Sequence, residues 1–146
     1  MPANSLRFLW TISLCLGSLS LLAQQQIDWQ LLSHVSFSTP DPSHRGPVYG
    51  APEFGPPVKA LEGQTVVLHG YMLPLTVDNQ QYILSKYPFT ECFFCGGGGK
   101  ETVVELKLAD DLEFDLDEQV TIQGELQLIR DPLQLSYLLV NARRVE

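Results

Sequence analysis

Residues 64–75 read QTVVLHGYMLPL, a β-rich run with a glycine at position 70. Val66, Val67 and Leu68 favour a strand, and a glycine inside a strand marks a bulge or sharp bend. The run therefore predicts one long strand that turns a corner at Gly70. Four shorter runs follow it. Residues 81–85 (QYILS) form a second strand after a turn at Asp78 and Asn79, and residues 102–108 (TVVELKL) a third. Residues 119–129 (QVTIQGELQLI) form a fourth, with Gly124 in its middle. The turn RDP at 130–132 then leads into a fifth strand, residues 135–145 (LSYLLVNARRV). Five strands with a kinked first member predict a mainly β chain closed, or partly closed, into a small barrel over residues 58–146.

Two segments precede the barrel. Residues 27–37 (IDWQLLSHVSF) place Ile27, Leu31 and Val35 at fourfold spacing and predict a short amphipathic helix. Residues 39–57 hold six prolines and three glycines in nineteen positions, a density that excludes helix and interior strand. They predict an irregular arm across the domain, pinned by Tyr49 and Phe54. The helix and arm together span 24–57. Ahead of them, Arg7 is the lone charge before the apolar run Phe8–Leu22, which ends at Ala23 and QQQ. That order is how a secretory signal peptide reads, and the run is shorter than the ~20 residues a spanning helix needs. Cleavage after Ala23 removes residues 1–23 and leaves no membrane span. It also removes Cys15, which follows Leu14 where lipid-attachment signals need a small residue. The expected location is exported, periplasmic or extracellular.

Without Arg7 the chain carries eight basic against 17 acidic side chains, a net charge of −9. Such a domain repels phosphate backbones, which excludes nucleic acid as a partner. The acidic run 109–118 (ADDLEFDLDE) lacks the central glycine and final glutamate of a calcium loop. It reads as a solvated edge anchored by Leu112, Phe114 and Leu116.

Export leaves Cys92 and Cys95, in the stretch ECFFCGGGGKE at 91–101, as the two cysteines of the exported chain. Three readings stay open. C-x-x-C-G is the geometry of a metal knuckle, with Cys92 and Cys95 as ligands and His69 as an intramolecular third, for zinc or copper. A histidine on a strand beside Leu68 and Tyr71 is also an ordinary packed or surface residue. His34, His44, Glu91, Glu101 or a second chain's pair are the other sources of ligands, and a shared site would make the protein a homodimer. The second reading is a disulfide staple in a loop that presents Phe93 and Phe94, with Gly96, Gly97 and Glu101 shaping it, to a protein or envelope partner. The third, thiol redox chemistry, fits poorly: four glycines after Cys95 cannot start the helix that would lower a thiol pKa. GGGGK has neither the spacing nor the following helix of a phosphate loop, and no nucleophile motif supports an enzyme.

The segments LEGQTVVLHGYMLPL, YILSKYPFTECFFCGGGGKETVVEL and VTIQGELQL, with YLLVNA near the end, resemble exported bacterial proteins of unknown function, chiefly of Bacteroidetes type, that share a CFFCGG motif. More distantly they resemble a wider family of uncharacterised periplasmic proteins. The resemblance implies an OB-like strand pattern, in agreement with the barrel, and no reaction. Where such proteins read GPE after the cysteines, this chain has Lys100 before Glu101.

Overall fold

A computed structural model of the chain describes residues 24–39, 50–76 and 81–145. The expected signal segment, Cys15, His44, Tyr49 and the turn at Asp78 and Asn79 lie outside them. The described elements are β1 (Gln25–Gln26), α1 (Trp29–Leu32), β2 (Val35–Phe37), β3 (Pro52–Phe54), α2 (Pro56–Lys59), β4 (Thr65–Pro74), β5 (Tyr82–Ser85), β6 (Val103–Leu108), β7 (Gln119–Leu128) and β8 (Tyr137–Val145). Strands β4, β5, β6, β8 and β7 hydrogen-bond in that order, and β4 pairs again with β7 to close the ring. Only β6 and β8 run parallel within it. The five barrel strands thus follow a 1-2-3-5-4-1 order, the OB-like barrel expected, with β1 added in parallel along β4.

Alternation builds the core. Val66, Leu68 and Met72 of β4, Tyr82 and Leu84 of β5, Val104 and Leu106 of β6, and Ile122 and Leu126 of β7 point inward and are buried. Gly70 leaves no room for a side chain. A Cβ there would stand 2.5 Å from the Ser85 carbonyl oxygen and 3.0 Å from the Trp29 ring. β4 pairs with β7 over Thr65–Tyr71 and with β5 over Tyr71–Pro74.

The N-terminal helix is shorter than the periodicity predicts. Asp28 caps it, accepting from the Leu31 N–H at 2.8 Å, and it ends at Leu32. Val35–Phe37 is a strand instead, because β-branched Val35 pairs opposite Phe54 in a two-stranded ribbon with β3. That ribbon also corrects the irregular arm: Pro52 is tolerated at the start of a strand paired on one side. Prolines 56 and 57 then open α2, where a missing N–H breaks no helical bond, and the helix crosses the expected boundary at 57/58. Phe54 is buried and packs its ring 5.6 Å from that of Tyr137, as its expected pinning role requires.

In the acidic run only Phe114 is an anchor, buried with its ring 5.3 Å from that of Tyr82. Leu112 and Leu116 are exposed, because this stretch leaves regular strand geometry and the alternation that would aim them inward. Arg143 and Arg144 meet Asp110 and Glu118, balancing that charge.

Buried Tyr137 joins the barrel to α1 by donating to the Leu32 carbonyl at 2.7 Å. Desolvation, and then the charge of Glu101, hold its phenol pKa well above the usual range. A folded pKa raised above the unfolded value of about 10 means stability is fully present below that pH and falls as pH rises. Tyr137→Phe should lower unfolding free energy by about 1–2 kcal/mol near neutral pH and flatten the loss above pH ~10, checked by urea melts across pH. Gly70→Ala should destabilise by about 1–3 kcal/mol through the clash with Ser85 and Trp29, measured in the same way.

Candidate functional site: the cysteine loop

Between β5 and β6 the chain makes three consecutive 3-10 turns, Phe89–Glu91, Phe93–Cys95 and Lys100–Thr102. Its course follows from what lies beneath. The outward residues Leu73, Ile83 and Val103 of β4, β5 and β6 are themselves buried, and Cys92 packs onto them with Phe93 and Leu135 at the margin. The loop therefore folds back over the outer face of three barrel strands and forms a second, smaller core there.

Specific bonds hold this course. The Phe89 N–H donates to the Asp117 carboxylate at 2.7 Å, fixing the loop's entry. Lys100, almost fully buried, donates from Nζ to the carbonyls of Pro132 at 2.6 Å and Gln134 at 2.9 Å, tying its exit to the β7–β8 turn. Burial holds that ammonium pKa below the usual lysine range. Lys100 is thus the residue that fastens the loop's exit.

Around the cysteines, Cys92 is extended (φ −75°, ψ 174°) and Phe93–Cys95 turns back on it. The N–H groups of Cys95 and Gly97 both donate to the Cys92 carbonyl, at 3.0 and 3.1 Å. Gly96 closes the turn in the left-handed region, at φ 80°, where a side chain is disfavoured. Gly97 passes so near the chain that a Cβ would overlap the Glu91 carbonyl. The two cysteines lie 4.2 Å apart and are not bonded to each other, against about 2.05 Å for a disulfide. Cys92 is buried and Cys95 exposed. The Cys95 thiol donates to the Phe89 carbonyl at 3.1 Å. Desolvation and the neighbouring Cys92 push its pKa up.

The structure does not bring His69 to this pair. His69 and Leu73 face outward on the same strand four residues, or roughly 13 Å, apart. His69 lies where β4 pairs with β7, with Nδ1 3.1 Å from the Thr121 hydroxyl. His34 pairs with the Leu31 carbonyl at the end of α1. Glu101 lies on the side of the loop that packs against α1 and acts on the Tyr137 phenol. Among the described residues no group of three or more His, Cys, Asp or Glu side chains is arranged to hold a metal ion. Phe93 packs on the second core, whereas Phe94, touching it ring to ring at 5.1 Å, is exposed, as is Phe89. Sequence reasoning passed over Leu73, Ile83, Val103, Asp117 and Lys100 as parts of the site. Their signal was the adjacent apolar residues Met72–Leu73, Tyr82–Ile83–Leu84 and Val103–Val104, a pattern of strands covered on both faces.

Comparison with solved structures finds a similar fold in a DUF3299 family protein from Pseudomonas aeruginosa PAO1. Its TM-score is 0.53 at 19% identity, over 85% of this chain and 97% of that one. No family model and no curated protein matches the chain. The likeness is one of fold, to a protein of an uncharacterised family.

Lys100→Met should leave the two carbonyls unsatisfied and destabilise the protein by about 1–3 kcal/mol. Amide hydrogen exchange should show the faster opening concentrated in residues 88–102 rather than in β7; uniform acceleration throughout the barrel would contradict the anchoring role.

Proposed function

We propose that the protein is an exported binding module, periplasmic or extracellular and of the Bacteroidetes type its motif resembles, that holds a soft metal ion on the thiolates of Cys92 and Cys95. The observation that carries this reading is the pair itself: two unbonded thiols 4.2 Å apart, one buried and one exposed, on a turn closed by left-handed Gly96. Two metal–sulfur bonds of about 2.3 Å put sulfurs about 3.8 Å apart at the tetrahedral angle and about 4.6 Å apart when collinear. The two cysteines, 4.2 Å apart, are close enough for one ion to be held between them. Zinc and copper are the ions whose chemistry suits sulfur donors. His69 takes no part in the proposed site.

The raised Cys95 pKa opposes a redox role, since thiol exchange needs the thiolate free near neutral pH. Metal binding tolerates it, because the ion displaces the proton. A second reading rests on Phe89 and Phe94, 46% and 51% exposed beside the pair. Here the loop is a protein-docking surface and the cysteines close into a staple once oxidised.

The test is elemental analysis with thiol titration on protein purified from the periplasm without chelators. Near-stoichiometric metal is expected, lost in both Cys92→Ser and Cys95→Ser, with thiols that react only after chelation. Because the thiols must deprotonate and Cys95 does so reluctantly, apparent affinity should rise with pH from about 6 to 9. Metal-free protein with no titratable thiol would sink the metal reading and favour the staple.

A further inference from the structure

Resting on that reading, we infer that the ion is monovalent copper, held two-coordinate between Cys92 and Cys95 of a single chain. The donor count decides it. Zinc in a structural site takes four ligands, and in a catalytic site three plus an open position. The described residues bring two thiols together and add no third His, Cys, Asp or Glu. Cu(I) is satisfied by two thiolates alone and prefers soft sulfur over the carboxylates that dominate this acidic surface.

The surroundings agree. Cys92 rests on Leu73, Ile83 and Val103 with Phe93 at its margin, an apolar bed that adds no hard oxygen donor on that side. Cys92 has no exposed surface. Cys95 is exposed. An ion lodged between them is reached from solvent on the Cys95 side. Loading is then a balanced acid–base exchange: one Cu(I) enters, two S–H bonds become two Cu–S bonds, and two protons leave, with no change in oxidation state. Unloading takes two exchanges: an incoming thiol bonds copper through its sulfur and its proton passes to Cys95 as that Cu–S bond breaks, and a second thiol then does the same at Cys92, which makes the exposed thiol the first to exchange and the buried one the anchor.

The experiment titrates the reduced protein under anaerobic conditions with Cu(I) against bicinchoninate and separately with Zn(II) against a chromophoric chelator. Native mass spectrometry and X-ray absorption at the copper edge follow. Expected are one Cu(I) per chain, a monomer, two sulfur neighbours, and zinc displaced by an equivalent of Cu(I). Cys95→Ser, a surface change that leaves the fold intact by circular dichroism, should weaken Cu(I) binding beyond the ~10–100-fold that outer-shell changes produce. Zinc retained against Cu(I), or half an ion per chain in a dimer, would overturn the copper assignment and leave the thiolate reading standing. Binding of neither ion would overturn both.

Discussion

The burial of Leu73, Ile83 and Val103 beneath Cys92 is the contact on which the rest of the loop depends. Those side chains point out of the barrel and would face water if the connection between β5 and β6 were a simple turn. Covering them is worth of order 1.5–3 kcal/mol for each large apolar side chain fully removed from water. Ordering a glycine-rich connection opposes this at about 1–2 kcal/mol per residue. The connection orders 17 residues against three covered side chains, so burial alone does not hold it and the loop needs the directional bonds found at its ends. Asp117 receives the Phe89 N–H at the entry, and Lys100 binds two carbonyls at the exit.

That arrangement also sets what lies on the outer face of the barrel. Barrels of this strand order commonly use the outer face of their second and third strands, with adjoining loops, to hold ligands. In this chain that face belongs to β5 and β6, and the cysteine loop lies on it. What the fold offers at this position is therefore the loop's own chemistry: a buried cysteine seated on the barrel, an exposed cysteine 4.2 Å away, and the exposed Phe89 before the pair and Phe94 within it. The barrel acts as a rigid platform that fixes the spacing of two sulfurs.

Much of the platform was legible in the sequence, because its signals are local. Gly70 stands where a side chain would strike Ser85 and Trp29, and all five barrel strands lie within the runs that predict them. The motif itself was legible as a pair of thiols on a tight turn. Less local features were not. Val35 has helical spacing relative to Ile27 and Leu31, yet pairs with Phe54 nineteen residues later, and tertiary pairing overrode the periodicity. Prolines argued against regular structure in 39–57, but a short ribbon strand and a helix start are the places that accept them. His69 looked available to the cysteines because strand order alone does not show which part of β4 the loop covers. Lys100 read as a departure from a pattern, and only its reach to Pro132 and Gln134, more than thirty residues on, gives it a role.

The central claim, that the loop is a fixed cover presenting one buried and one open thiol, is tested most directly by the rate at which the reduced, metal-free protein reacts with a thiol-alkylating reagent. The account predicts two well-separated phases, the first placed on Cys95 by peptide mass spectrometry and the second, on Cys92, appearing only as fast as the loop or the protein opens. Equal rates at both cysteines under native conditions would show that the loop does not rest on the barrel as described, and the preset spacing of the two sulfurs would fall with it.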